Sequence, residues 1–311
     1  MYDLVIIGGG PAGAAAAIYA ARKRLKTIFL TSEWGGQSAV SSEIQNWVGT
    51  PKIMGADLAD NLKKHVEEYK GEFLQIVSPS EASGMKTFDD HIEVVTKKGD
   101  TYSAAAALVA TGANRRKLEV PGAAEYDQKG LTYCASCDGP LFADHDVAVI
   151  GGGNAAFETA LQLLAYCKTV TLLNRTETFR ADEISIAAAK AHSNMRILLN
   201  AKPTEVVGEK FVTGIKYIET NTGTETLLPV AGIFVEIGLL PNSDWLGDTL
   251  ELNEIKQIKV DPKTQRTSHP RVWAAGDITD GVYHQNNIAA GDAVKALEDV
   301  YMFLRKNKSE A

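Results

Sequence analysis

Apolar positions along the chain form short continuous runs, helical stripes and alternating stretches, and one series of them occurs twice. Leu4-Val5-Ile6-Ile7 is a β-branched apolar run that predicts a strand. It leads directly into Gly8-Gly9-Gly10-Pro11-Ala12-Gly13, after which the alanine-rich residues 14–24 predict a helix with a basic end. Thr27–Leu30 predicts the next strand. The same series returns later as a strand over 147–150, the turn Gly151-Gly152-Gly153-Asn154-Ala155-Ala156, a helix through Leu164 and a strand over Thr169–Leu173. Residues 56–69 carry Leu58, Leu62, Val66 and Tyr69 at helical spacing, which predicts an amphipathic helix. Residues 73–109 alternate more like strands, over 73–77, 91–95 and 105–109, with Lys97-Lys98-Gly99-Asp100 as a hairpin-type turn. Near the end, Trp273-Ala274-Ala275-Gly276-Asp277 closes a strand. Residues 289–304 then predict a helix carrying Val294, Leu297, Val300, Tyr301 and Leu304. The polar tail from Lys306 is expected to be disordered.

Composition narrows the class. At 311 residues the chain exceeds what one core ordinarily holds, so two domains are expected. No apolar run approaches the roughly 18 residues of a membrane span. The strand pattern starts at once and leaves no room for a signal peptide, so a cytoplasmic location is expected. A net charge of −7 lacks the basic footprint of a nucleic-acid binder. Three cysteines are too few for a secreted disulfide framework.

Two of those cysteines lie in Tyr133-Cys134-Ala135-Ser136-Cys137-Asp138-Gly139, between the two glycine-rich turns. The C-x-x-C spacing suits a redox dithiol or half of a zinc site. Zinc needs two further ligands, and the chain holds no second C-x-x-C and no H-x-x-x-H, so no metal is expected. Cys167 falls in an apolar helical stretch and reads as a small buried hydrophobe. A thiolate is the reactive form, so the pair needs a proton donor. Asp138 can supply it, can cap the turn or helix that follows, or can do both. Thiols set between two nucleotide turns suggest a relay in which electrons arrive on one cofactor and leave through two sulfurs, as in a flavin-dependent disulfide reductase.

The first turn has the full strand, G-x-G-x-x-G, helix context of a dinucleotide site. Gly8 permits the tight turn, Gly10 lets a pyrophosphate approach and Gly13 lets helix and strand pack closely. Glu33, with Ser32 beside it, falls about 20 residues further on and is the candidate ribose acid. The second turn, at Gly151, Gly153, Asn154 and Ala156, is the G-x-G-x-x-A form. An acid after its second strand would favour NAD. Here Asn174, Arg175 and Arg180 stand in that region, and arginine favours a 2′-phosphate, so NADPH is preferred over NADH. Ala110-Thr111-Gly112-Ala113 ends a strand, and Asn114-Arg115-Arg116-Lys117 marks the crossover, as a solvated linker or as a docking patch for an acidic partner. The expected fold is α/β: two Rossmann-like three-layer nucleotide-binding domains, the second inserted into the first. Residues 1–114 and 244–311 form the split domain and 115–243 the insert.

These motifs, with Gly35-Gly36-Gln37, Glu158, Gly238-Leu239-Leu240-Pro241-Asn242 and Ala274-Ala275-Gly276-Asp277, make the sequence similar to the low-molecular-weight thioredoxin reductases. It resembles equally the flavoprotein part of the bacterial alkyl hydroperoxide reductase, and the likeness covers essentially the whole chain. The resemblance implies FAD in the split domain, NADPH in the insert, a homodimer and a thioredoxin-like small redox protein as partner. It implies that Pro11, Ala12, Gly36, Ala110, Thr111, Gly112 and Gly276 belong to the FAD site. It further implies that Gln37 and Asn46 lie by the flavin, Asp277 by the ribitol, and Gln285 with Asn286 near the ring. Cys137 would face the flavin, Cys134 would attack the partner's disulfide and Asp138 would manage protons. The insert would rotate about crossovers near 114–118 and 241–244 to present nicotinamide and dithiol in turn. The family's His-Arg-Arg, three residues, Arg pattern reads here as Asn174, Arg175, Thr176 and Arg180, so one Arg and the His are missing. NADH, or no pyridine nucleotide with ferredoxin as donor, are the alternatives that follow, as are a peroxiredoxin or glutaredoxin-like partner and a non-catalytic redox sensor. Because the chain begins at the FAD strand, the hydroperoxide reductase's extra N-terminal thioredoxin-like region is expected to be missing.

Overall fold

The computed structural model describes residues 1–41 and 44–310. It separates into two compact units, Met1–Asn114 with Leu240–Ala311, and Arg115–Leu239. The first holds β1 (Tyr2–Ile7), α1 (Pro11–Arg22), β2 (Thr27–Leu30), α2 (Gly55–Glu67), β3 (Leu74–Val77), β4 (Ala82–Thr87), β5 (Ile92–Thr96) and β6 (Thr101–Val109). After β7 (Ala113–Arg115) come β8 (Leu131–Thr132), α3 (Ala135–Asp138), β9 (Asp146–Ile150), α4 (Asn154–Leu164), β10 (Thr169–Leu173) and α5 (Glu183–Lys190). Then follow β11 (Met195–Leu198), β12 (Ala201–Gly208), β13 (Val212–Glu219), β14 (Glu225–Pro229) and β15 (Gly232–Val235). β16 (Leu239–Pro241) returns the chain to the first unit, which β17 (Val272–Ala274) and α6 (Asn286–Glu310) complete.

The first unit's sheet runs β3-β2-β1-β6-β5-β4, with β17 also on β6. β1 pairs parallel with β2 and β6, and the β1–α1–β2 crossover is what a parallel pair requires. Leu4 and Ile6 face one core with Phe29 and Trp273, while Val5 and Ile7 face another with Ile28, Leu30 and Ile258. Burial on both faces is why this strand reads as an unbroken apolar run. β6 is longer than the apolar stretch 105–109 because Thr101–Ala104 pairs antiparallel with β5 while Ala107–Val109 pairs parallel with β17. α1 starts at Pro11, whose fixed φ suits a first helical turn, and it ends before Arg24, which has φ 57°. Its buried alanines pack against Ala289, Ala293 and Ala296 of α6, so the two helix backbones approach closely. α6 runs from Asn286 to Glu310, so the tail expected to be disordered continues as helix. The buried Leu297, Val300 and Leu304 anchor it, and each further residue adds a backbone hydrogen bond to an existing helix.

The second unit repeats the plan with a parallel sheet ordered β11-β10-β9-β15-β8. Val147 and Val149 face Phe157 and Leu163 of α4, while Ala148 and Ile150 face Ile215 and Tyr217 of the antiparallel β12-β13-β14 layer. The fold is thus two Rossmann-like nucleotide-binding layers in one chain. Of the basic crossover, Asn114, Arg116 and Lys117 are exposed, as in a solvated linker, Lys117 lying 2.7 Å from Asp127, whereas Arg115 is half-buried 3.1 Å from Glu236. No helix among the described residues is long and apolar enough to cross a membrane.

Candidate functional site

The first glycine turn is shaped by two close approaches and one open space. A Cβ on Gly8, whose φ is 120°, would lie 2.1 Å from the Ala110 carbonyl oxygen, and one on Gly13 would lie 1.8 Å from the Gly8 carbonyl oxygen. A Cβ on Gly10 would meet no atom within 4 Å. Gly10 is the N-cap of α1 and offers no side-chain hydrogen bond, so the first-turn N–H groups of Ala12 and Gly13 face that space. Free N–H donors beside an open glycine at a helix N-terminus fit a pyrophosphate. The Thr31 hydroxyl donates to the Glu33 carbonyl, and this bend packs onto Gly9. It leaves Ser32 and Glu33 exposed at the end of β2.

Two other candidates of this unit, Gly36 and Gly276, lie against the same helix start. A Cβ on Gly36 would lie 3.5 Å from Gly10 Cα, and one on Gly276 would lie 3.3 Å from the Ala12 Cβ. Gln37 Nε2 donates to Asn114 Oδ1 at 2.9 Å, and Asn114 Nδ2 donates to Asn242 Oδ1 at 3.0 Å. Asn242 also donates to the Thr111 carbonyl at 2.8 Å and receives the Thr111 hydroxyl on its own carbonyl at 2.9 Å. Its amide N–H bonds the Gly112 carbonyl. Thr111 is therefore committed to holding its loop. Asn46 Nδ2 donates to Gln285 Oε1 at 3.0 Å, and Ser38 Oγ donates to Asn286 Oδ1 at 2.7 Å. Asp277 Oδ1 lies 3.4 Å from Nδ1 of His284, a residue no sequence motif marks.

At the second turn, a Cβ on Gly151 would lie 2.3 Å from the Glu236 carbonyl oxygen, whereas one on Gly153, the N-cap of α4, would meet nothing within 4 Å. Ala156 is fully buried against the turn. The space and the helix start fit a second nucleotide. Asn174 does not face that space. It is buried, and its amide donates to the Thr176 and Thr178 carbonyls at 3.0 and 2.9 Å. Asn154 Oδ1 accepts from the Asp182 N–H at 2.8 Å, and the Arg180 N–H donates to the Gly152 carbonyl at 2.8 Å. The side chains of Arg175 and Arg180 are exposed, and among the described residues neither has a carboxylate partner.

Cys134 and Cys137 form a disulfide, with Cys134 as the N-cap of α3. Asp138 is 8% exposed, and its carboxylate accepts the hydroxyl hydrogen of Thr132. The Thr132 oxygen in turn accepts the Cys134 N–H at 3.3 Å. Burial pushes the Asp138 carboxyl above its usual range, opposed by the Thr132 hydrogen bond. Its side chain caps no helix, so the capping alternative falls away. Ser136 Oγ donates to Gln162 Oε1 at 3.2 Å and fixes α3 to α4. Cys167 is free and buried, and burial pushes its thiol up to about 11.

A disulfide with a buried carboxyl, set in a chain with two nucleotide cradles, defines the class as dithiol–disulfide oxidoreductase. The chain belongs to the pyridine nucleotide-disulphide oxidoreductase family, whose model matches residues 2–293. It is 40% identical over 306 residues to the alkyl hydroperoxide reductase F subunit of Staphylococcus aureus, covering 98% of this chain and 60% of that relative's length. It superposes on the thioredoxin reductase of Streptococcus pyogenes with TM-score 0.89 and 32% identity, covering 98% and 99% of the two chains. For the thioredoxin reductase of Giardia duodenalis the TM-score is 0.92 with 30% identity, again covering 98% and 99%.

Proposed function

We propose that the chain is a flavin-dependent thioredoxin-disulfide reductase that takes electrons from NADPH and delivers them through Cys134 and Cys137 to a thioredoxin-like small redox protein. The Cys134–Cys137 disulfide beside the buried Asp138 carries the reading. FAD, when bound, supplies two-electron exchange between a nicotinamide hydride and a dithiol. Gly8, Gly10, Pro11, Ala12 and Gly13 receive its pyrophosphate, Glu33 its ribose, and Asp277 with His284 the neighbouring polyol. Gly151, Gly153, Asn154 and Ala156 receive the pyridine nucleotide. The unpaired Arg175 and Arg180 favour a 2′-phosphate and hence NADPH.

Reduction of the Cys134–Cys137 bond takes two electrons and two protons and gives two thiols. The Cys134 thiolate attacks the partner's disulfide, forming a mixed disulfide and expelling one partner thiolate. The Cys137 thiolate then displaces the partner, which leaves with two thiols as the Cys134–Cys137 bond reforms. Asp138, its carboxyl raised by burial, takes up and returns the proton at the dithiol. The protein works in the reducing cytoplasm as a homodimer, a reading supported by its likeness to the thioredoxin reductases. The 40% identity to the F subunit of alkyl hydroperoxide reductase favours a second partner class, a peroxiredoxin-type protein.

Anaerobic titration with NADPH, NADH and reduced ferredoxin tests the donor. NADPH is expected to bleach the flavin absorbance at stoichiometric addition, and bleaching by ferredoxin alone would overturn it. Cys134→Ser is expected to keep flavin and its bleaching while losing turnover in a coupled thioredoxin–insulin assay. Retained turnover would sink the relay.

A further inference from the structure

Glu236 follows β15 at the carboxyl end of the second unit's sheet, the edge where such folds take up nucleotides. Three elements meet on it. Its backbone carbonyl oxygen would lie 2.3 Å from a Cβ on Gly151, so it packs on the first glycine of the cradle. Oε1 accepts the Thr159 hydroxyl of α4 at 3.0 Å, and Oε2 lies 3.1 Å from Nη1 of Arg115. The side chain is only 9% exposed. A buried ion pair adds little stability over apolar packing of the same volume, yet it fixes the mutual position of the groups it joins.

We infer that Glu236 is a positioning residue for the pyridine nucleotide: through Gly151 and Thr159 it seats the first turn of α4, and with it Gly153 and Asn154, at the height the dinucleotide needs. Arg115 favours the ionised form of the carboxylate, whose other oxygen accepts the Thr159 hydroxyl. The inference rests on the second cradle taking a pyridine nucleotide. Glu158 is the other charge acting on this group, and burial with Glu158 raises the carboxyl against Arg115 and Thr159. As pH falls, Glu236 therefore takes up its proton above the usual carboxylate range and releases Arg115.

The test measures the NADPH Kd by titration calorimetry, and the thermal unfolding midpoint, on the full-length protein and on Glu236→Gln, Glu236→Leu and Thr159→Val. The loss of a hydrogen bond to a charged group corresponds to about a 10-fold weaker Kd in Glu236→Leu and Thr159→Val. Glu236→Gln, which keeps an acceptor for Thr159, is expected near 3-fold, on the order of a neutral hydrogen bond's share. Glu236→Leu strands Arg115 and Thr159→Val strands a carboxylate oxygen, so lower unfolding midpoints are expected in both, with Glu236→Gln closer to wild type. The wild-type and Glu236→Gln affinities should converge as pH falls. Wild-type affinity in both Glu236→Leu and Thr159→Val, or wild-type and Glu236→Gln affinities that stay equally far apart as pH falls, would overturn the inference alone. A wild-type protein that binds neither NADPH nor NADH would overturn it together with the reading it rests on.

Discussion

The hydroxyl of Thr132 donates to the carboxylate of Asp138 while its oxygen receives the N–H of Cys134 at 3.3 Å. One side chain thus joins the buried acid to the N-cap of the dithiol helix. The hydrogen bond favours the ionised carboxylate and burial disfavours it, with burial the larger effect.

The sign of that balance sets the outcome of Asp138→Asn. Where the folded carboxyl titrates above the unfolded one, the folded state holds more protons, so stability falls as pH rises through that window. Above it the buried charge exerts its full cost. Replacing Asp138 by asparagine removes the charge and leaves an acceptor for Thr132. The expected unfolding midpoint at neutral pH is equal to or above wild type. Disulfide turnover is expected to fall by about 10²-fold or more, the scale of general acid–base catalysis. A lower midpoint with unchanged turnover would show Asp138 to be structural.

Thr132→Val tests the other half. Without the hydroxyl, the ionised Asp138 loses its hydrogen bond while burial is unchanged, so its carboxyl rises further. The limb of the pH–turnover profile that reports this group is expected to move to higher pH, with turnover recovering at alkaline pH. An unmoved limb would separate Thr132 from the proton path.

Cys167 is expected to be silent. Its thiol donates to the Phe142 carbonyl at 3.3 Å and is pushed up to about 11 by burial. At pH 8 that leaves roughly one thiol in a thousand ionised. Iodoacetamide should give no adduct on the native oxidised protein, two after mild reduction and a third only on unfolding, counted by mass spectrometry. A single adduct on the native oxidised protein would refute the assignment.

Much of this arrangement is legible in the residues because the fold repeats a strongly patterned unit. β1 and β9 are buried on both faces, so each appears as an apolar run stopped by glycines that only a tight turn needs. The C-x-x-C is equally direct. Thr132 is not legible: β8 is two residues long, too short for any periodicity, and its hydroxyl gains meaning only when α3 folds back over it. His284 and Asn242 act through partners that no motif ties to them, and Asn174 turns inward where position alone suggests a ribose contact. β12–β14 show mixed exposure, so their pattern is diluted. Helix ends shift for local reasons, Pro11 starting α1 early and buried leucines carrying α6 past its last apolar residue.

On the proposed reading, Arg175 and Arg180 select between two nucleotides. Both follow β10, both are exposed, and neither is engaged with a carboxylate among the described residues. A charge-assisted hydrogen bond contributes on the order of 1.5–3 kcal/mol, so each Arg→Ala change should weaken NADPH binding by about 10-fold or more. Binding of NADH, which lacks the 2′-phosphate, should hardly change. Equal effects on both nucleotides, measured by calorimetry, would mean that the arginines shape the loop instead of reading the phosphate.

Gly8 and Gly10 are two residues apart and should fail in different ways. At Gly8 a Cβ would strike the Ala110 carbonyl at 2.1 Å in backbone of φ 120°, so Gly8→Ala must move β6 away from the turn. The expected cost is about 2–4 kcal/mol of stability, with flavin lost because the unit itself is damaged. At Gly10 a Cβ meets nothing within 4 Å and the backbone is extended at φ −77°, so Gly10→Ala leaves the apoprotein within about 0.5 kcal/mol of wild type. Its methyl group instead occupies the space over the α1 N-terminus that a pyrophosphate would need. Flavin retained on purification should therefore drop sharply in Gly10→Ala, while the chemical unfolding curve of the stripped protein stays where it was. If Gly10→Ala keeps its flavin, the open space over α1 is not where the pyrophosphate sits.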